Sequence, residues 1–156
     1  MNAKLKPAVT YQLEDYAAVR DEIVPLLERH YRELATFQDI PLKPNWPVYA
    51  RLAKAGYLAI FTARIDGVMV GYVVYLVITS MHYSILQAQQ DILWLAPQYR
   101  GNRIGAHLIS YSESSLKGIM GVVLVQQHEK LEHPELGIVL AKLGYRPMDR
   151  IWVKRL

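Results

Sequence analysis

The stretch LAPQYRGNRIGAHLI, residues 95–109, gathers Arg100, Gly101, Asn102, Arg103 and Gly105 between an apolar run that stops at Pro97 and a helical pattern that starts at once. A helix N-terminus presents unpaired N–H groups and a partial positive charge, so it binds phosphate oxygens through the backbone. Glycine at 101 and 105 lets a ligand come close to the main chain. Arg100 and Arg103 add full charge, and Asn102 suits a helix cap. These are the parts of a pyrophosphate cradle, although an ordinary tight turn whose glycines serve only geometry would carry the same residues. The spacing matches neither G-x-x-x-x-G-K-[ST] nor G-x-G-x-x-G.

Such a turn needs a strand before it and a helix after it. Gln89 to Leu95 reads as the strand, and Arg103 to Lys117 carries Ile104, Leu108, Tyr111 and Ser115 on one stripe that ends at Gly118. Gly121 to Gln126 reads as the next strand. The three predict a right-handed parallel crossover with a ligand site beyond the carboxyl end of its first strand.

Upstream, a strand at Ala8 to Gln12 precedes a helical pattern through Val19, Ile23, Leu26, Leu27 and Leu34, which Pro25 kinks or divides. Glu14 and Asp15 place negative charge at its start. PLKPNWP (41–47) is a connection, Val48 to Ala55 a short helix, and Tyr57 to Arg64 with Val68 to Thr79 a hairpin about Asp66-Gly67. Residues 80–87 form a loop. Pro134 opens a last helix, with Leu136, Val139, Leu140 and Leu143 on one face and Gly144 as its stop. A strand pair near Tyr145 to Met148 and Ile151 to Lys154 follows. The order predicts one mixed α/β domain over residues 1–156.

Composition narrows the function. The 156 residues are 52% hydrophobic, enough for a core, and the formal charge of +4 is scattered without interleaved aromatics, unlike a nucleic-acid surface. With no cysteine there are no disulfides, thiolate metal sites or cysteine nucleophiles. The apolar run from Val68 to Ile78 falls short of the roughly 20 residues of a membrane span, and MNAKLK has no apolar core for a signal peptide. The expectation is a cytoplasmic protein without membrane or nucleic-acid partners.

Arg100, Gly101, Asn102, Arg103, Ile104 and Gly105 resemble the R-x-x-G-x-[GA] signature of the Gcn5-related N-acetyltransferases, the GNAT superfamily, with Arg103 standing where glycine is usual. Val70-Gly71-Tyr72 is similar to that family's third strand and LAKLGYRP (140–147) to its C-terminal helix. His82-Tyr83, DILWL (91–95) and the lysine of WVKRL are also similar to a branch frequent in bacteriophage genomes. The resemblance implies a GNAT fold, a mixed central sheet flanked by helices with two parallel strands splayed to admit acetyl-CoA. It implies pyrophosphate contacts from Arg100 through Ala106, pantetheine pairing with the backbone of Leu93, Trp94 and Leu95, and an N–H there for the thioester oxyanion. Relatives are often dimers, so a homodimer is one reading, while the sequence leaves the oligomeric state open.

Amine acetylation by direct attack calls for a base and an acid. Asp91 shares a strand face with Leu93 and Leu95, where a lone carboxylate suits either a base or a structural hydrogen bond to the loop at 80–87. His128 follows the fifth strand and titrates in the useful range. His82, Tyr83 and His133 border the expected acceptor cleft, although a lone histidine is more often a surface or capping residue. His128 and His133 are not spaced as metal ligands, and no metal is expected. Many relatives carry a tyrosine acid four residues before the glycine that ends the last helix; here that position is Leu140, which the apolar stripe explains. Tyr83, Tyr145 or water could take its place. The rivals are a GNAT-shaped module that binds acyl-CoA without turnover, and a nucleic-acid binder.

Overall fold

The computed structural model describes residues 8–156, so the charged start MNAKLK lies outside the described residues. Asp66 (φ 50°) and Gly67 (φ 81°) take the left-handed pair of conformations that a two-residue turn between twisted strands needs. Across them β2 (Leu58–Ile65) pairs antiparallel with β3 (Val68–Thr79). β1 (Val9–Glu14) adds to the outer edge of β2 and β4 (Leu86–Leu95) to that of β3, both antiparallel. β5 (Leu124–Gln126) pairs parallel with β4. The result is one five-stranded mixed sheet in the order β1-β2-β3-β4-β5 within a single α/β domain.

Helices cover both faces. α1 (Tyr16–Leu34) buries Val19, Ile23 and Leu27 against Ile60, Tyr72 and Trp94, and α2 (Trp46–Lys54) packs Tyr49 and Leu52 on the same side. α3 (Ile104–Met120), which connects β4 to β5, buries Leu108 and Leu116 against Phe61, Val73 and Tyr75 on the opposite face. A sheet covered twice leaves no polar side, and Leu58 to Ala63 are accordingly buried without alternation. Asp15 caps α1, its side chain accepting from the Ala18 N–H at 3.1 Å, an arrangement worth about 1 kcal/mol. Among the described residues no helix is long and apolar enough to cross a membrane.

The structure corrects several boundaries. α1 runs through Pro25 undivided, because the exposed proline removes one hydrogen bond from a helix that its buried face still holds down. α3 does not end at Gly118 but at Gly121, whose φ of 70° turns the chain so that the N–H groups of Gly121 and Val122 return to the carbonyls of Lys117 and Leu116. β4 begins three residues earlier than expected, at Leu86, because β3 continues far enough to pair with it. β5 shrinks to three residues, and the expected strand pair at 145–148 and 151–154 does not form. So short an edge strand gives a further strand little to pair with. Residues 146–156 are exposed instead, and near the end Arg155 makes a forked pair with Asp39 (2.8 and 3.0 Å) and lies over the Phe37 ring. The last helix, α4, covers Glu135–Lys142, with Pro134 before it and Gly144 (φ 92°) after it.

Candidate active site

β4 and β5 pair only from Gln87 to Gln89, opposite Leu124 to Gln126, and then part. Beyond that point β4 keeps β3 on one side and, among the described residues, has no strand on the other. The Ala96 N–H donates to Val70 O at 2.8 Å, so by alternation Trp94 also directs its main-chain groups toward β3, while Leu93 and Leu95 direct theirs to the open edge. Leu95 O accepts the Arg100 Nε–H at 2.8 Å, as a carbonyl outside the ladder is free to do.

A bulge sits where the strands part. Val74 pairs with Ile92 but Tyr75 with Gln90, leaving Asp91 as the extra residue. The insertion reverses the inward faces. Ala88 packs with the α3 cluster before it, whereas Ile92 and Trp94 pack with the α1 cluster after it. Leu93 and Leu95 stay on the α3 side. Asp91 therefore does not share their face, contrary to the strict alternation expected. It points toward α2, where the Tyr49 hydroxyl donates to its Oδ2 at 2.5 Å, and it makes no hydrogen bond to the 80–87 loop among the described residues. Burial, followed by the Asp91 carboxylate, holds the Tyr49 hydroxyl protonated far above its usual range.

The glycine-rich turn lies at the carboxyl end of β4. A short 3₁₀ turn at Pro97–Tyr99 leads to Arg100 and to Gly101, whose φ of 74° favours glycine. Asn102 Oδ1 accepts from the Ile104 N–H at 2.9 Å. Arg103 is helical at φ −83°, ψ −1°, so the position does not need a glycine. His107 is the first residue whose N–H turns back into the helix, to Arg103 O, and the N–H groups of Gly105 and Ala106 have no intrahelical acceptor. A Cβ on Gly105 would stand 3.6 Å from Leu95 Cδ2, ordinary contact, so alanine fits there.

The two arginines differ. Arg100 forks onto Glu33 of α1, with Nη2 to Oε2 at 3.0 Å and Nη1 to Oε1, and Glu33 also accepts from Trp94 Nε1 at 3.1 Å. Arg100 thereby ties the turn to α1. Arg103 is exposed and joins no ion pair among the described residues.

His128 lies two residues past β5, half-buried, and its N–H donates to Gln90 Oε1 at 3.1 Å, beside the bulge. His82 and Tyr83 are exposed in the tight turn between β3 and β4, at the amino end of β4 and so across the paired segment from the bulge. His133 is half-buried before α4, its N–H donating to Lys130 O. The structure thus brings Asp91 and His128 to the parting of the strands and leaves the 80–87 loop at the far end of the parallel ladder.

Tyr49 and His30 escaped the sequence, as did the partners of Tyr145, a residue the sequence named only as a possible acid. His30 Nδ1 lies 2.9 Å from the Tyr72 hydroxyl and its ring stacks on Trp94; burial, then the charges of Lys130 and Arg100, push its pKa down to about 4, with Glu33 opposing. The Tyr145 partners form a network on the α3 face. Tyr145 donates to Glu113 Oε1 at 2.6 Å, Gln127 Nε2 donates to the hydroxyls of Tyr75 (2.6 Å) and Tyr145 (3.3 Å), and Tyr75 meets Ser112 Oγ at 3.1 Å. Burial and Glu113 raise the Tyr145 pKa well above its ordinary value. Gln127 Oε1, buried just past the end of β5, has no hydrogen-bond partner. These hydrogen-bond partners are 18 to 52 residues apart in sequence, which is why no spacing rule announces them.

On the α1 side of the sheet a cavity of about 500 Å³ opens between α1, residues 35–44, Tyr49 and Ile92, with Val153 at its rim. It lies beside the Tyr49–Asp91 pair, and no residue of the 80–87 loop lines it.

Residues 20–133 match the Acetyltransferase (GNAT) family. The chain belongs to that family. Solved structures share the fold: a ribosomal-protein-alanine N-acetyltransferase from Brucella melitensis biovar Abortus 2308 is 17% identical with a TM-score of 0.72, over 96% of this chain and 99% of that one. An aminoglycoside acetyltransferase from an uncultured soil metagenomic sample, in complex with sisomicin, is 16% identical with a TM-score of 0.73, over 95% and 96%. AAC(6')-Iy, in complex with the bisubstrate analog CoA-S-monomethyl-acetylneamine, is 18% identical with a TM-score of 0.67, over 96% and 98%. No curated protein sequence matches the chain.

Proposed function

We propose that this GNAT protein moves an acetyl group from acetyl-CoA to a primary amine by direct attack. The observation that carries the reading is the parting of β4 from β5, which leaves the main-chain groups of Leu93 and Leu95 without a strand partner just ahead of a helix start with free N–H groups. A pantetheine arm, itself built from amides, adds to such an edge with the hydrogen bonds a strand would make. At the turn, the N–H groups of Gly105 and Ala106 and the charge of Arg103 suit a pyrophosphate, while Gly101 and Asn102 shape the bend, Ile104 opens the helix and Arg100 braces it through Glu33. The AAC(6')-Iy complex with a CoA bisubstrate analog supports the choice of co-substrate.

Acetyl-CoA supplies the acyl thioester and a good leaving group; the chain supplies position and charge. Main-chain N–H groups on the open edge of β4 would supply hydrogen bonds to the thioester oxygen. Asp91, held by Tyr49, is an anionic partner for the incoming amine and the candidate proton acceptor, with His128 as the second candidate beside it. Tyr145, hydrogen-bonded to Glu113 and Gln127, is the hydroxyl on the α3 side of the gap and the candidate proton donor. The bacteriophage-branch resemblance adds nothing to these assignments.

One observation favours a second reading, an acyl-CoA-binding module without turnover: the position that carries a tyrosine acid in many relatives is the buried Leu140. Two measurements test the proposal. Acetyl-CoA titrated calorimetrically binds the wild-type chain and does not bind Gly105→Trp, whose ring fills the approach to the turn. Thiol release above buffer with a panel of amines confirms turnover, and its absence leaves only the binding module. Unchanged affinity in the Gly105→Trp variant refutes the assignment of the turn.

A further inference from the structure

Resting on the N-acyltransferase reading, we infer that the acceptor is a monoamine on an apolar aliphatic or aromatic body, seated in the cavity between α1, residues 35–44 and β4. The walls are Leu27, Phe37, Ile40, Leu42, Ile92 and Val153. The tyrosine hydroxyls on this surface are already engaged, and Thr36 Oγ1 accepts from Lys130 Nζ at 3.4 Å. Tyr31 donates into the loop carbonyls of Gln38 and Ile40, and Tyr49 donates to Asp91. Lys43 is the one charged residue of the lining, and no carboxylate lines it among the described residues. Asp39, on the same loop, is turned to Arg155.

An ammonium group that leaves water needs an anionic partner. Asp91 can serve: it does not line the cavity itself, but it precedes Ile92 in β4 and accepts from the Tyr49 hydroxyl, and both of those residues line it. A second or third ammonium group on the same molecule would face apolar walls or Lys43. The charge pattern therefore selects one amine with an apolar body and disfavours polycations such as spermidine or an aminoglycoside, even though proteins sharing this fold include aminoglycoside acetyltransferases.

Calorimetric titration of the full chain with phenethylamine and with spermidine, with CoA present and absent, reads this directly. Phenethylamine is expected to bind at least about tenfold more tightly. Equal or tighter binding of spermidine, or no binding of phenethylamine, overturns the inference. Ile40→Asp, at a half-exposed wall position, and Lys43→Glu, at an exposed one, each add a carboxylate and are expected to shift the ratio about tenfold toward spermidine; a ratio unmoved in both variants also overturns it. Acetyl-CoA binding is titrated separately. If that fails, the acyltransferase reading falls while the amine preference is still read, and if it holds while spermidine wins, only the inference falls.

Discussion

His30 shows how a residue without a motif becomes informative through its surroundings. Its ring is packed against Trp94 and hydrogen-bonded to Tyr72, and burial brings its pKa from 6.5 down to about 4. The folded chain holds this imidazole neutral over a range where the unfolded chain protonates it, so unfolding takes up a proton there. Stability is then highest above about pH 6.5 and is lost as pH falls through about 4, by at most about 3 kcal/mol from this group. Urea midpoints measured from pH 7 to pH 4 should fall less steeply in His30→Gln than in the wild type. At the same scale, the two arginines of the turn look interchangeable in sequence, yet Glu33 on α1 engages one and leaves the other exposed. Their difference comes from a partner 67 residues away.

At the scale of elements, two glycines near the end of α3 make opposite demands. Gly118 lies within the helix with open space where a Cβ would stand, whereas Gly121 has a φ of 70° and turns the chain out of the helix. Gly118→Ala should raise stability by about 0.5–1 kcal/mol, from helix propensity and a less free unfolded chain. Gly121→Ala should lower it by about 1 kcal/mol, because a Cβ is disfavoured in the left-handed region. Denaturant midpoints of the two variants decide which glycine ends the helix. Either glycine suits a helix stop, and local rules favour the one met first along the chain. The bulge in β4 is hidden for a related reason. Alternation assigns faces only while one residue of a strand opposes one of its neighbour, and Asp91 breaks that count.

For the whole molecule, the gap between β4 and β5 lies between two halves of the core, with the α3 cluster on one face of the sheet and the α1 cluster on the other. A ligand that joins the open edge of β4 stabilises the folded state by mass action. Acetyl-CoA at about 100 times its Kd should add about 2.7 kcal/mol, a rise in Tm of roughly 5–10 °C for a chain of this size. Thermal melts with and without acetyl-CoA check this, and Gly105→Trp should show no shift. The C-terminal segment belongs to the same scale. Its alternating residues suggest strands, but pairing needs an edge, and the segment instead reaches the loop after α1, where Val153 meets the cavity beside Tyr49 and Arg155 meets Asp39.

Local rules sufficed for features held within a few residues. The Asp66-Gly67 hairpin, the apolar stripes of α1 and α3, the parallel crossover and the turn at Arg100–Gly105 were all legible, since each depends on periodicity, capping or backbone freedom over a short span. Contacts between distant segments were not. The splaying of the two parallel strands came with the resemblance to the GNAT superfamily, whereas the side to which Asp91 points, its bond to Tyr49, the capture of Arg100 by Glu33 and the apolar cavity all depend on which surfaces meet once the sheet is covered on both faces. Side-chain partners far apart along the chain leave no periodic mark in it, so folding alone brought them together.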